Sequence, residues 1–537
     1  MKTTLLLFTG LIAGLAQAQT FKYLDINQMK AQVNSGGDIQ PSIIGKWTGT
    51  ANLWQAGIDL GGQLKLSGQT YNHGDYWPGP LSTADASIDS VSSSQYNRVW
   101  KLNKTDIDNF IINYANGNVQ NGSFIPAADL LSWPGNGDIS KNQDLLLAPF
   151  FDVDADGLYN PVSSGDYPLI KGDQALFTVY NDNYKLHQSG GKAIGVEIRL
   201  MAYAYGPCNI VASNPFLNHT TFYNYQIINR SSFALYNSYL SLFNDIDIGY
   251  YADDFVGSDV QDGYSYTYKP SVTNAPAVGI VQFKGPVNST NGIDDNGDGT
   301  TDEPLEKMGF TNFMYYNNSF AGVPAQTTDP SNATEYYQYM TNYWKDGSPL
   351  TCGGNGYGGT TATNFAYPNN TYSNSPCGSG SWTESGIGSD KRFITTSGPY
   401  ILQPGAVDEL EYAYITAFDS ITNNPLAKLD ADVQTLRSIY NSTINQCSVT
   451  GIKKQNINTA FTISPNPTNA LLNINSGKVI NGQVKIEVID ALGKVLISED
   501  YKDFNQSTID VSPLSSGIYF LKISSGENVT TKKFIKE

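Results

Sequence analysis

Alternation of apolar and polar positions with period two recurs along this chain. In Thr221-Phe222-Tyr223-Asn224-Tyr225-Gln226-Ile227, one face carries Phe222, Asn224 and Gln226 and the other carries Tyr223, Tyr225 and Ile227. Runs of similar texture occupy 175–180, 195–205, 240–247, 278–283 and 410–418, bounded by Gly, Asn and Pro. Aromatic and β-branched residues fit a pleated surface, so these runs predict strands of a mostly antiparallel sheet structure. Three stretches show 3–4 spacing instead. Residues 106–115 place Ile107, Phe110, Ile111 and Tyr114 on one stripe, with Thr105 positioned as the cap. Residues 332–345 carry Tyr336, Met340 and Tyr343 and stop at Gly347, and 425–440 carry Leu426, Leu429, Val433, Leu436 and Tyr440. Each predicts a helix with a core-facing stripe. From about residue 461 the strands shorten. Val484, Ile486 and Val488 alternate with Lys485 and Glu487, and turns fall at Asn481-Gly482 and Ser515-Ser516-Gly517. The predicted fold class is mostly β: an antiparallel, β-sandwich-rich body with a few helices, plus a small C-terminal Ig-like β-sandwich.

The N-terminal pattern is of another kind. Lys2 precedes an apolar run from Leu5 to Leu15, and Ala16-Gln17-Ala18 follows. A basic residue, a short apolar core and a small-x-small site are the parts of a secretory signal peptide, with cleavage between Ala18 and Gln19. No other stretch approaches 18 uninterrupted apolar residues, so no transmembrane segment is expected. The chain divides into a signal peptide (1–18), a β-rich body (19–450), a linker (451–458) and a C-terminal domain (459–537).

Composition sharpens this picture. The chain of 537 residues has 32 Lys+Arg against 49 Asp+Glu, a formal charge of -17. Neutralising nucleic-acid phosphates needs an excess of Lys and Arg, so a nucleic-acid partner is excluded. The tail from 459 carries eight Lys and eight Asp or Glu, so the acidity belongs to the body. Cys208, Cys352, Cys377 and Cys447 lack CxxC spacing, which argues against zinc. In an exported chain an even number points to disulfides, and the favoured pairing is Cys352 with Cys377 and Cys208 with Cys447.

Part of the acidity is ordered. In Asp152-Val153-Asp154-Ala155-Asp156-Gly157-Leu158-Tyr159-Asn160, oxygens stand at positions 1, 3, 5 and 9, with Gly at 6. A second loop repeats the pattern with Asp294, Asn296, Asp298, Thr300 and Asp302 around Gly299. Alternate side chains of a tight loop converge their oxygens, which is what Ca²⁺ requires. Ser163 and Leu305 stand where an EF-hand has Glu, and Pro161 argues against an exit helix, so both read as calcium loops of a different kind. Asp166, Glu303 and Glu306 are candidate completing ligands. An Asp/Gly turn that needs no ion is the plain alternative. A third acidic run contains Asp245, Asp247, Asp253, Asp254 and Asp259. Asp245 and Asp247 share a strand face, and like charges so placed need a cation, a shared proton or solvent. Asp75-Tyr76-Trp77-Pro78-Gly79-Pro80 reads as an aromatic turn packing a sheet edge or stacking on a sugar. No HExxH or GxSxG occurs, and His73, His187 and His219 stand in no triad context.

Four C-terminal blocks carry a family resemblance. Ser464-Pro465-Asn466-Pro467, Val488 through Lys494 (VIDALGK), Ile509 through Tyr519 (IDVSPLSSGIY) and Lys532-Lys533-Phe534-Ile535-Lys536 resemble the type A sorting domain of the Bacteroidota type IX secretion system. The resemblance implies recognition by that machinery, passage across the outer membrane, and release or attachment to surface lipopolysaccharide. Leu53-Trp54, the Asp75–Pro80 turn and segments 151–174, 242–259, 335–356 and 391–405 resemble a broad, uncharacterised family of Bacteroidota surface proteins. That likeness implies organisation and calcium loops and transfers no catalytic residue. The sequence therefore favours a secreted or cell-surface, calcium-stabilised protein that binds a glycan or protein ligand. Two alternatives stay open: a carbohydrate-active hydrolase using paired carboxylates such as Asp245 and Asp247, and a structural element of a surface layer.

Overall fold

Strand-forming runs separated by about 200 residues meet in two large antiparallel sheets. A computed structural model describes residues 19–43, 58–66, 75–206, 209–270, 272–287, 307–320, 322–373, 375–386, 388–440, 462–489, 495–525 and 528–536. The signal segment with Ala18, the linker 451–458, the loop containing Asp294, Asn296, Asp298, Thr300 and Asp302, and Cys208 and Cys447 lie outside the described residues. The chain falls into two compact units, Met1–Thr450 and Gly451–Glu537.

In the first unit a seven-stranded sheet has the spatial order Phe21–Leu24, Met29–Asn34, Asp38–Ile43, Ile58–Leu66, Leu235–Ile248, Lys391–Leu402, Asn312–Asn317. The second sheet runs Phe255–Asp259, Tyr264–Tyr268, Ala277–Lys284, Val407–Ala417, Thr220–Asn229, Val196–Ala204, Gln174–Asn181. Its last strand is flanked by the short strands Trp77–Pro78 and Trp100–Asn103. The aromatic turn at Asp75–Pro80 thus packs a sheet edge. The inner faces share one core, in which Tyr223, Tyr225 and Ile227 meet Leu242, Ile246 and Phe313. Each such side chain contributes about 1.5–3 kcal/mol on burial.

The nine-stranded sheet is buried on both faces over most of its extent. Every residue of Gln174–Asn181 and Val196–Ala204 is buried. A second core covers its outer face, where Phe177, Tyr203 and Phe222 meet Ile107 and Phe110 of one helix and Leu429, Val433 and Leu436 of another. The first helix spans Lys104–Ala115, and its cap is Asn103 rather than Thr105. Asn103 N and Nδ2 both donate to Asp106 Oδ2 (3.2 and 2.8 Å), so the helix starts earlier than the apolar stripe indicates. The second spans Pro425–Ile439, with Asn424 capping Ala427 N. A third, Ala333–Met340, ends five residues before the expected Lys345, as the chain passes through Asn342 at φ 61°. Cys352 and Cys377 form a disulfide with Cα atoms 5.3 Å apart. It closes a 25-residue separation in the Gly-rich segment, which is also pinned by Trp344 Nε1 donating to Gly356 O (3.0 Å). Closing a loop of that length contributes on the order of 3 kcal/mol.

The second unit is a five-stranded antiparallel structure with its own core. The long strands Leu471–Ile489 and Val495–Asp510 pair along most of their length, with register shifts near Ile480 that bend both. One end of Leu471–Ile489 pairs with Thr462–Ser464 and the other with Gly517–Ser525, so two layers close over Leu472, Ile486, Val488, Phe504, Leu521 and Phe534. The first and last of the four sequence blocks of the tail touch: Asn466 Oδ1 accepts Ile535 N (2.9 Å), and Thr468 N donates to Ile535 O (2.9 Å).

Candidate binding pocket and acidic loop

On the outer face of the nine-stranded sheet, side chains two apart on one strand project together, and antiparallel register aligns them across strands. One rung reads Val179, Arg199, Gln226, Glu409. The next reads Phe177, Met201, Asn224, Glu411, and the next Ala175, Tyr203, Phe222, Ala413. The third belongs to the helix-covered core; the first two floor a cavity of about 280 Å³. Lys171, Arg199, Asn224, Gln226 and Glu409 supply its polar lining, and Pro149, Leu169, Ile170, Phe177 and Met201 its apolar lining.

The charges around this floor are paired, and Lys307 adds a further cation 3.3 Å from Glu409. Glu411 is fully buried and receives Lys171 Nζ (2.9 Å), Tyr203 Oη (2.5 Å) and Asn224 Nδ2 (2.9 Å). A shift in strand register between Gln282 and Lys284 puts Lys284 opposite Glu411, with Nζ 3.4 Å from it and 3.0 Å from Glu409. Burial pushes the Glu409 carboxyl up, but the Asn224 hydrogen bond and the Lys284 and Lys171 charges outweigh it and bring it down to about 2. Glu411 is likewise lowered: burial opposes, and Lys171 and Lys284 prevail. Arg199 uses its whole fork, on Glu197 (2.9 Å), Leu146 O (2.9 Å) and Asp144 (2.9 Å). Arg230 joins the same two acids. Removing one member of such a buried network costs about 3–5 kcal/mol. Two groups stand outside it. Gln226 is exposed, and its amide and the Asn224 carbonyl oxygen have no hydrogen bond among the described residues.

The wall of this cavity leads to the first acidic loop. Phe150–Phe151 pairs with Tyr167–Pro168, the Phe151 and Tyr167 rings stack with centroids 5.0 Å apart, and Leu169 N donates to Pro149 O (3.0 Å). Pro149 and Leu169 to Lys171 line the cavity at one end of this ribbon, and the loop 152–160 closes the other. Carboxylate oxygens of Asp152, Asp154 and Asp156 lie within 4.8 Å of one another. The loop keeps its shape through Asp152, which accepts Gly157 N (2.8 Å) and Asp156 N (3.3 Å), and through Gly157 at φ 81°. Fully buried Asp166 brackets it, accepting Val153 N and Asn160 N (both 2.8 Å). Asn160 Nδ2 donates to Asp156 (3.1 Å), while its Oδ1 is buried without a hydrogen-bond partner. A hard cation would satisfy that oxygen and three carboxylates at once. One helical turn, Pro161–Ser164, follows and ends at Gly165.

The run from Asp245 to Asp259, contiguous in sequence, is dispersed. Asp245 and Asp247 meet Asp390, and Arg392 serves as counter-ion, 3.3 Å from Asp245 and 2.8 Å from Asp390. Burial raises Asp245 to about 6 despite Arg392. Asp253 pairs with Lys269, and buried Asp254 lies 3.6 Å from the same lysine. Asp259 groups with Asp262 and Asp430 at the last helix. His187 Nε2 contacts Asp182 O (2.6 Å), and burial lowers His219, packed on Phe418, to about 4.

Sequence reasoning placed Asn224 and Gln226 on one face of their strand without marking them as functional, and it passed over Lys171, Arg199 and Glu409. Only the outward polar pair on an aromatic strand signalled the pocket; its partners come from strands about 200 residues apart.

No helix of the described residues is long and apolar enough to cross a membrane. No curated protein matches the chain. Among solved structures, a polysaccharide lyase is similar over 67% of this chain and 39% of its own, at 10% identity and TM-score 0.18. The chain therefore spans about two fifths of that lyase. A biofilm-associated protein domain is similar over 96% of this chain and 80% of its own, at 9% identity and TM-score 0.14. The family model described as a secretion system C-terminal sorting domain matches residues 462–537. Together with the four sequence blocks and the sandwich that unites the first and last of them, this match makes the chain a cargo of the type IX secretion system, exported to the cell surface or released from it.

Proposed function

We propose that the exported body is a calcium-stabilised binding protein that holds a glycan or protein ligand at or beyond the cell surface without turning it over. In this reading, residues 1–18 direct the first export step and are cleaved before Gln19, the sorting domain directs the second, and the mature chain is released or joined to lipopolysaccharide. A second disulfide, Cys208 with Cys447, is part of the proposal. Ca²⁺ binds through Asp152, Asp154, Asp156 and the Asn160 side-chain oxygen, and a second ion binds through Asp294, Asn296, Asp298, Thr300 and Asp302. The ions supply charge neutralisation and cross-linking of loops, not chemistry.

The observation that carries the binding reading is the pocket on the nine-stranded sheet. Acid–base catalysis needs a group poised to exchange a proton near the working pH. Here the neighbouring lysines lower both Glu409 and Glu411, away from that range. The hydrolase reading draws on one specific fact, the raised Asp245 beside Asp247. Against it, Arg392 already serves Asp245 as counter-ion. Incubating the exported chain with polysaccharide and peptide libraries separates the two. Capture of a ligand recovered unchanged is expected. Product formation that disappears in Asp247→Asn would establish the hydrolase and defeat the binding reading.

A further inference from the structure

The lining of the sheet-face pocket constrains the chemistry of its ligand. We infer that the pocket takes one neutral, hydroxyl-bearing ring, a single saccharide residue, with an apolar ring face on Phe177 and Met201 and its hydroxyls on Gln226 and Asn224. The inference rests on the binding reading above and names its ligand class.

Charge comes first. Lys171 is engaged by Glu411, and Arg199 by Glu197, Asp144 and a backbone carbonyl. An anionic ligand would compete with these carboxylates for the cations, and a cationic ligand would compete with Lys284 and Lys307 for Glu409. A neutral ligand disturbs neither. Hydrogen bonding comes second. Two groups facing the cavity have no hydrogen bond among the described residues, the Gln226 amide, with two donors and one acceptor, and the Asn224 carbonyl oxygen, and the Lys171 ammonium adds N–H donors beyond the one on Glu411. Planar groups of this kind, fixed on adjacent rungs of one sheet, match vicinal hydroxyls that both donate and accept. Shape comes third. Phe177 and Met201 are neighbours across two strands and present an apolar surface beside that polar pair, as a ring with one C–H face and an equatorial belt of hydroxyls requires. Size comes last. Pockets for drug-sized ligands run to roughly 300–1,000 Å³, and about 280 Å³ gives room for one ring.

Saturation-transfer NMR on the exported chain tests this with methyl glycosides of glucose, galactose, mannose and N-acetylglucosamine, and methyl glucuronide as the charged control. At least one neutral glycoside should receive saturation, strongest on the C–H protons of one ring face. Gln226→Ala should weaken that binding at least tenfold. Gln226→Trp, at an exposed position, should abolish it with the melting temperature unchanged. Preference for the glucuronide, no response from any neutral glycoside, or binding that survives Gln226→Trp would overturn the inference. Any of these together with ligand capture elsewhere leaves the binding reading intact, whereas turnover removes that reading itself.

Discussion

Asp254 illustrates how burial decides the behaviour of single residues in this acidic body. Its side chain is almost wholly enclosed, and Oδ2 has no hydrogen-bond partner. Burial raises its carboxyl to about 8, and the charges of Asp247 and Asp253 add to the effect against the pull of Lys269 and Ile248 N–H. The unfolded chain ionises this carboxyl near 3.8, so the group's contribution to stability is complete below that pH and is lost as pH rises toward 8. Asp254→Asn should therefore raise the melting temperature near about pH 9 by an amount on the order of 1–2 kcal/mol of stability, and give no gain near about pH 4. Thermal melts of both proteins across this range check it. Equal differences at both ends would show that Asp254 is ionised throughout. Side-chain direction was legible in the sequence wherever period two held: Tyr223, Tyr225 and Ile227 face the inter-sheet core, and Phe222, Asn224 and Gln226 face away. The Thr105 cap was misread because Asn103, at the end of a strand, meets Asp106 three residues on, and the apolar stripe begins only later.

Among the elements, the ribbon of Phe150–Phe151 and Tyr167–Pro168 links two features that the sequence presented separately. Its loop end gathers Asp152, Asp154, Asp156 and Asn160, and its open end walls the pocket through Pro149 and Leu169 to Lys171. A cation that neutralises the loop would stabilise the ribbon and so the wall, because both ends share one short ladder. Chelation with EDTA should therefore speed hydrogen exchange at the Val153, Asn160 and Leu169 amides, and lower the melting temperature. Calcium at about 100 times its Kd would restore about 2.7 kcal/mol. Asp156→Asn should weaken both responses. Protection at these amides that is indifferent to calcium and EDTA would reduce the loop to a self-sufficient Asp/Gly turn. The clustering of the loop's carboxylates was legible because they are local, at fixed offsets on one turn. The pocket was not, because Lys171, Arg199, Gln226 and Glu409 converge only through the register of three strands and a connecting segment. Nor was the second burial of the nine-stranded sheet, since the helices at Lys104–Ala115 and Pro425–Ile439 add a layer that alternation within a strand does not encode.

At the scale of the whole molecule, the chain separates what addresses it from what acts. The sorting domain carries no net charge, and the excess of acid lies in the body. There the buried acids are paired in networks, Glu411 with Lys171 and Lys284 and Glu197 with Arg199 and Arg230, and part of the surplus is gathered in loops. We propose a body held by calcium that binds a neutral saccharide residue and leaves it intact. A crystal structure of the exported chain grown with Ca²⁺ and soaked with the methyl glycoside that responds best by NMR tests that claim most directly. The account predicts an ion bound by Asp152, Asp154, Asp156 and the Asn160 side-chain oxygen, and an uncleaved glycoside on Gln226, Asn224, Phe177 and Met201. A loop closed on water alone, a glycoside seated at Asp245 and Asp247, or a cleaved product in the density would contradict it.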